Sequence, residues 1–179
     1  MPGKKFSGIL FSDGFGTCNI LPWLYQNRTT MKYSHSIIIE LPRNRVIELF
    51  DNPDNLAKWQ PGLLKFEHLS GEPGAVGSKS RLLYKMGKRE TEMIETITLN
   101  ELPDCFHGTY EAHGVWNLQE NFFESTAEDF TKWTSSTEFK FKSFAMKLIG
   151  WLMPGAFKKQ SYKFMVYFKE FAEAEGKES

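Results

Sequence analysis

Two glutamates on otherwise apolar, strand-like segments are the residues best suited to chemistry. Strict alternation in RETEMIETITLNEL puts Glu95 on an apolar face, and alternation in VWNLQENFFES does the same for Glu120. A carboxyl group on an apolar face is desolvated, which raises its pKa and suits it to proton transfer. The apolar residues that share these faces are Met93, Ile97 and Leu99 for the first, and Trp116, Leu118 and Phe122 for the second.

Three roles are open to these carboxyl groups. With Tyr110 and Thr137 as hydrogen-bond partners, Glu95 or Glu120 could act as general base on a carbonyl compound. Either could instead orient the polar end of a bound ligand. A third interpretation, which the sequence favours for each residue alone, is that strand twist or a bulge leaves the carboxylate in water or paired with a Lys or Arg.

The surrounding pattern predicts the elements that position these residues. Residues 33–41 read as a strand, and RNRVIELF and DNLAKW as two short helices after Pro42 and Asn52-Pro53. Six strand-sized runs follow, separated by short turns, which predicts an antiparallel meander. From Ser143 to Glu175 the spacing is helical, with a break at Pro154. One helical face then carries Phe157, Phe164, Phe168 and Phe171, and an upstream row that we expect to be packed carries Phe144, Leu148 and Leu152.

This order of elements resembles the START-like helix-grip superfamily (SRPBCC), nearest to its polyketide cyclase/dehydrase and lipid-transport branch. The resemblance covers residues 31–175, and its most specific part is the strand–helix–helix opening with Trp59 before Gln60-Pro61. It implies an α+β helix-grip fold, in which a curved seven-stranded antiparallel sheet grips a long C-terminal helix around an apolar cavity. The matching segments are SIIIELPRNRVIELFDNPDNLAKWQPGL, GEPGAVGS, ETEMIETIT and FKKQSYKFMVYFKEFAE.

Alternation and the resemblance together predict which side chains line that cavity. If the apolar face of each strand points at the last helix, polar residues on the same faces point inward too. Trp151 and Met153, beside the Pro154-Gly155 break, are predicted to sit at the cavity entrance. The predicted ligand-binding residues are Tyr84, Met93, Glu95, Ile97, Phe106, Tyr110, Trp116, Glu120, Phe122, Trp133, Thr137, Phe139, Leu152, Phe157, Phe164 and Phe168.

Composition excludes several classes of partner. The 179 residues carry 22 Lys and Arg against 22 Asp and Glu, which gives no electrostatic case for binding nucleic acid and argues against a polybasic membrane anchor. Two cysteines and four dispersed histidines predict no metal site, and no cofactor fingerprint is present. The cysteine usage fits a cytoplasmic protein. FAMKLIGWLMPGAF is too short and too broken to span a bilayer, so no integral membrane association is expected.

The chain divides into three parts by sequence. Residues 1–30 are predicted to be an extension that is poorly ordered or not native, with packing of the segment through Phe6, Leu10, Trp23 and Leu24 as the alternative. Residues 31–175 form one ligand-binding domain, and residues 176–179 form a tail.

The predicted function is non-covalent binding, or transport, of a small hydrophobic molecule. The alternative is a cyclase- or dehydratase-type enzyme that uses Glu95 or Glu120 as a base, and a third class is a chaperone-activator-like module that exposes its apolar patch. Whether the protein is an enzyme is left open, with binding favoured, and the sequence does not give the oligomeric state.

Overall fold

The computed structural model describes residues 30–176. The predictions about the N-terminal extension, including the alternative that it packs through its own apolar residues, fall on residues 1–29, outside this range. The predicted C-terminal tail lies outside it as well, apart from Gly176.

One seven-stranded sheet forms nearly half of the described chain. All neighbouring strands are antiparallel, and their order across the sheet is β1-β7-β6-β5-β4-β3-β2. Six consecutive strands thus form a meander, and the first strand closes the sheet against the last. The strands are β1 Thr30–Ile39, β2 Leu63–Ser70, β3 Lys79–Met86, β4 Arg89–Glu101, β5 Cys105–Ala112, β6 Val115–Ser125 and β7 Thr131–Phe141.

Two short helices connect β1 to β2. Helix α1 covers Arg43–Asp51 and begins directly after Pro42, whose fixed φ suits a helix start. A single 3₁₀ turn, Pro53–Asn55, follows, and the Asn52 side chain accepts a hydrogen bond from the Asp54 backbone N–H at 3.0 Å. Helix α2 covers Leu56–Trp59. This strand–helix–helix opening is the one that the sequence predicts.

The long C-terminal helix packs onto one face of the sheet. Helix α4, Pro154–Glu175, starts at the predicted break, with proline in its first turn. The Phe168 ring is fully buried and lies 5.4 Å from the Trp133 ring of β7. Around this pair an aromatic cluster forms the driest part of the interior; its members are Phe50, Trp59, Phe123, Trp133 and Phe168.

Helix α3, Phe144–Leu152, begins beside the turn between β5 and β6. Gly114 in that turn has φ +78°, and a Cβ there would lie 2.6 Å from the Ser143 hydroxyl oxygen. Glycine is therefore needed for this close approach. The Gly114 carbonyl accepts a hydrogen bond from the Lys142 N–H at 2.8 Å, which fixes where α3 begins.

The α+β helix-grip architecture predicted from the sequence is confirmed: seven antiparallel strands, short helices after the first strand and a long C-terminal helix across the sheet. The predicted packing of the row Phe144, Leu148 and Leu152 is wrong, since all three side chains are exposed. Met146, on the opposite side of α3, is the residue that contacts the Gly114 turn. Within residues 30–176, no helix combines the length and the hydropathy needed to cross a bilayer.

Candidate functional site

The two faces of the sheet differ in what covers them. On the inner face, Phe139 and Phe141 of β7 contact the Phe157 ring of α4 at 5.2 and 5.3 Å. The register pairs Phe123 of β6 with Trp133 of β7, so both belong to this face. Residues one position along each strand therefore point to the outer face, which α4 does not cover.

A row of polar side chains crosses the middle of the inner face. Asn117, Tyr110, Glu95 and Ser80 stand directly opposite one another on β6, β5, β4 and β3. Between this polar row and the aromatic cluster lie two further polar pairs on β6 and β7, Gln119 with Thr137 and Asn121 with Ser135. The inner face is thus apolar at one end and polar across its centre.

Glu95 and Tyr110 form the centre of the site. The Tyr110 hydroxyl donates a hydrogen bond of 2.7 Å to Glu95 Oε1. Burial desolvates the carboxylate and raises the pKa of Glu95, while the bond from Tyr110 acts in the opposite direction. Burial also raises the pKa of Tyr110 well above its ordinary value, and the neighbouring Glu95 charge adds to the rise. The arrangement keeps the tyrosine protonated as a donor and makes the carboxyl group readier to hold a proton.

Tyr84 extends this centre toward α2. Its hydroxyl donates a hydrogen bond to Gln60 Oε1, at the end of that helix. Burial raises the pKa of Tyr84, and the charge of Glu95 raises it further. The two tyrosines therefore flank Glu95, and Gln60 links the site to the helix that carries Trp59.

Several inner-face side chains keep accessible surface although the protein surrounds them. Glu95, Phe106 and Tyr110 are only half-buried, yet Glu95 and Tyr110 are desolvated enough to shift their pKa values. These partly accessible groups lie on the face of the sheet that α4 covers. At the β1 edge of the sheet, the hydroxyl of Tyr33 forms a 2.8 Å hydrogen bond with the hydroxyl of Ser161 on α4.

The predicted orientation of β6 is wrong. Trp116, Glu120 and Phe122 lie on the outer face, where Lys140 Nζ stands 4.2 Å from the Trp116 ring centroid and His107 packs on Phe122. Alternation along β6 was correct, but the apolar face of this strand points away from α4. The physical reason is that the inner face of β6 contributes amides to the polar centre, so hydrophobicity does not identify it.

The other predicted residues fall into two groups: those on the inner face or on the face of α4 that covers it, and those that are exposed or turned outward. Among those on the inner face, Trp133 and Phe168 are buried in the aromatic cluster and have almost no accessible surface. Leu152 is exposed on α3, and Leu99 is turned outward by a bulge between Ile97 and Leu99. The entrance predicted around Trp151 and Pro154 depends on side chains outside those described. The predicted residues that the structure brings to the inner face or to the gripping face of α4 are Tyr84, Met93, Glu95, Ile97, Phe106, Tyr110, Trp133, Thr137, Phe139, Phe157, Phe164 and Phe168.

Sequence reasoning missed the neutral polar groups of the site. Ser80, Asn117, Gln119, Asn121 and Gln60 were not predicted, because amides and a serine give no chemical signal on their own. The hairpin between β6 and β7 held a usable signal: its turn pairs Phe123 with Trp133. That aromatic pair would have set the face of β6 correctly.

A second concavity lies on the surface between α2 and α4. This open groove of about 370 Å³ is lined by Lys58, Trp59, Pro61, Tyr167, Glu170 and Phe171. Lys58 is paired with Glu175 at 3.8 Å and stands over the Phe171 ring. Among residues 30–176, no cluster of His, Cys, Asp or Glu has an arrangement that could hold a metal ion.

Comparison with known proteins identifies the fold. No family model and no curated protein matches the chain. Among solved structures, the Zhui aromatase/cyclase from Streptomyces sp. R1128 has a TM-score of 0.67 at 14% identity, covering 80% of this chain and 94% of that one. Ara h 8.0201 has a TM-score of 0.63 at 11% identity, covering 81% and 99%. Norcoclaurine synthase from Thalictrum flavum, in complex with dopamine and hydroxybenzaldehyde, has a TM-score of 0.59 at 17% identity, covering 92% and 96%.

These proteins share one architecture with the present chain, the helix-grip fold. The fold that the resemblance implied from the sequence is thereby confirmed. At these identities the likeness establishes the fold, and the function has to be argued from the site itself.

Proposed function

We propose that the protein binds a small, largely apolar molecule carrying at least one hydroxyl or carbonyl group, in the space between the inner face of the sheet and α4. The observation that carries the proposal is the Tyr110–Glu95 pair: a 2.7 Å hydrogen bond, desolvated and yet accessible, at the centre of the inner face. Apolar burial would supply most of the affinity, and this pair would orient the ligand.

The chemistry of the site defines the polar end of the ligand. Glu95 accepts hydrogen bonds when ionised, so a ligand hydroxyl would donate to it. The Tyr84 and Tyr110 hydroxyls donate to Gln60 and Glu95, so each oxygen would accept a hydrogen bond from a ligand hydroxyl, and Glu95 in its protonated form would donate to a ligand carbonyl. Aromatic rings of Phe106, Phe139 and Phe157 offer flat apolar walls for the rest of the molecule. A phenolic or polyketide-like ring compound meets both requirements.

The solved structures of the same fold support this ligand class. One is an aromatase/cyclase, and another was determined with dopamine and hydroxybenzaldehyde, which are hydroxylated aromatic molecules. Ligands of this kind would fit the hydroxyl and carboxyl groups that the present chain carries on the inner face of its sheet.

A matched pair of probes tests the proposal. Naphthol and methylnaphthalene have similar shapes and differ in one hydroxyl group, and each can displace a neutral fluorescent dye such as N-phenylnaphthylamine. We expect naphthol to bind about tenfold more tightly, since a hydrogen bond to a charged group contributes about 1.5–3 kcal/mol. Glu95→Gln and Tyr110→Phe should each reduce this preference.

Glu120→Gln is the matched control, because it makes the same chemical change on the outer face. It should leave the preference for naphthol intact. If the wild-type protein did not distinguish the two probes, or if Glu120→Gln and Glu95→Gln lost the preference equally, the proposed site would be incorrect.

The raised pKa of Glu95 favours one second candidate, acid–base catalysis on a carbonyl compound. A desolvated carboxylate beside a tyrosine donor could remove an α-proton from a ketone and later return one. Exchange of the α-protons of tetralone in D₂O, followed by NMR, measures this step directly. Exchange faster with the wild type than with Glu95→Gln would support catalysis; equal rates would leave Glu95 with a binding role only.

A further inference from the structure

We propose that helix α3 docks the protein on the surface of a lipid bilayer that carries anionic headgroups. The inference rests on an exposed apolar stripe and on the charges around it, and it does not depend on the ligand proposed above.

The apolar stripe consists of four large side chains that point away from the protein. Phe144, Leu148 and Leu152 follow one another at intervals of four, so they lie on one face of α3, and Met153 follows directly after the helix. Their exposed fractions are 83, 43, 62 and 59% in chain order. An exposed apolar surface of this kind on a short helix indicates a contact with another apolar medium.

The segment of chain that carries the apolar stripe has charged residues of one sign. Residues 139–169 contain seven lysines and no Asp or Glu, although the whole chain has zero formal charge. Lys140 and Lys142 pair with Glu138 and Glu111. No ion pair within the described part of the chain involves the other lysines that are nearest the stripe in sequence, which are Lys147 on α3 and Lys158, Lys159 and Lys163 in the first half of α4.

The apolar stripe and the lysines together indicate which partner contacts α3. An apolar helix face flanked by unpaired lysines matches a bilayer with anionic lipids, where apolar burial and electrostatic attraction act together. Residues 1–29 contain Lys4, Lys5 and Arg28 against Asp13, so that segment would bring like charge to the site. A second copy would set the same lysines against each other. Both alternatives lack charge complementarity.

The docking surface is compatible with the zero formal charge of the chain. Balanced net charge argues against a polybasic membrane anchor, but the acidic residues lie outside residues 139–169. For a surface contact, the charges within about a Debye length of the stripe matter more than the net charge of the chain.

Sedimentation of the full chain with vesicles tests the proposal. We expect binding to vesicles of phosphatidylcholine with about one-third phosphatidylglycerol, little binding to phosphatidylcholine alone, and weaker binding as salt is raised. Leu148→Ser with Leu152→Ser should lower partitioning about tenfold or more. Lys158→Ala with Lys159→Ala should lower it roughly 25-fold, at about fivefold per lysine.

Two double variants serve as controls of the same chemistry elsewhere. Leu69→Ser with Val76→Ser removes exposed apolar side chains, and Lys79→Ala with Lys132→Ala removes exposed lysines, at strand ends or in a loop opposite to the β5–β6 turn that α3 contacts. Neither should change partitioning, and circular dichroism should show every variant folded.

Three results would overturn the proposal. One is equal binding to neutral and anionic vesicles, or none to either. Another is vesicle binding that appears only after residues 1–29 are deleted, which would make that segment the occupant. The last is a dimer of the full chain that Leu148→Ser with Leu152→Ser converts to a monomer, which would make a second copy the occupant.

Discussion

The two ends of the inner face of the sheet differ in what they bury: one buries aromatic rings and the other buries polar side chains. Around Phe168 and Trp133 the aromatic cluster leaves little accessible surface, and its rings pack edge to face and in stacked pairs. At the other end the sheet presents Glu95, Tyr110 and Asn117, and the exposed α3 lies beyond it. The aromatic end therefore contributes stability, whereas the polar end carries the free-energy cost of desolvating polar groups at the candidate site.

The largest effect is expected at the packed end. Phe168→Ala should lower the free energy of unfolding by about 3–5 kcal/mol, because it removes a fully buried ring from the aromatic cluster and leaves a cavity. Urea denaturation measures this loss. Phe164→Ala is the control, because it removes a half-buried ring one turn earlier on α4. It should lower the free energy of unfolding clearly less; equal losses would mean that Phe168 is packed no more tightly than Phe164.

A smaller loss is expected at the polar end. Tyr110→Phe removes the hydroxyl that donates to Glu95 and leaves a desolvated carboxylate without that bond, at a cost of about 1–3 kcal/mol. Tyr162→Phe, which alters an exposed ring, should have little effect under the same denaturation conditions. A Tyr110→Phe protein as stable as wild type would show that this bond does not hold the site together.

Glu95→Gln should change stability in the opposite direction. Folding raises the pKa of Glu95 above 4.5, so ionised Glu95 destabilises the fold at pH above its raised pKa and costs nothing at pH well below 4.5. The Gln variant should therefore be more stable than wild type at alkaline pH, with the difference shrinking as pH falls through that pKa. Denaturation midpoints across pH measure the trend.

Glu120→Gln again provides the matched control, because its carboxyl group is on the outer face. We expect its unfolding free energy to differ from wild type by about 0.5 kcal/mol or less. A gain with the same pH trend as Glu95→Gln would rule out inner-face burial as the cause.

The smallest effect is expected on α3. Phe144→Ser replaces a ring that is almost entirely outside the fold, so the free energy of unfolding should change by about 0.5 kcal/mol or less. Set beside Phe168→Ala, it compares two phenylalanines of the C-terminal helices by the same denaturation assay. A large loss would show that α3 is packed more tightly than its exposure indicates.

The sequence predicted the fold well because local rules govern its elements. Pro42 and Pro154 start helices, and turn residues separate the strands of the meander. Alternation alone placed Glu95, Tyr110 and Thr137 on the inner face, since strands β4, β5 and β7 keep apolar neighbours beside them. For Glu120 the assumption that the apolar face of a strand meets α4 failed, because β6 has its amides inside and its large apolar residues outside.

What the sequence determined by itself is thus the order of elements, the break between α3 and α4, and the alternation along each strand, all of which depend on neighbours close in the chain. Only the tertiary structure decided which face of β6 meets α4, which aromatic rings form the dry cluster, and that the apolar row of α3 stays exposed. These depend on pairing between strands and on the position where each helix lies across the sheet. A side chain's own chemistry does not specify either one.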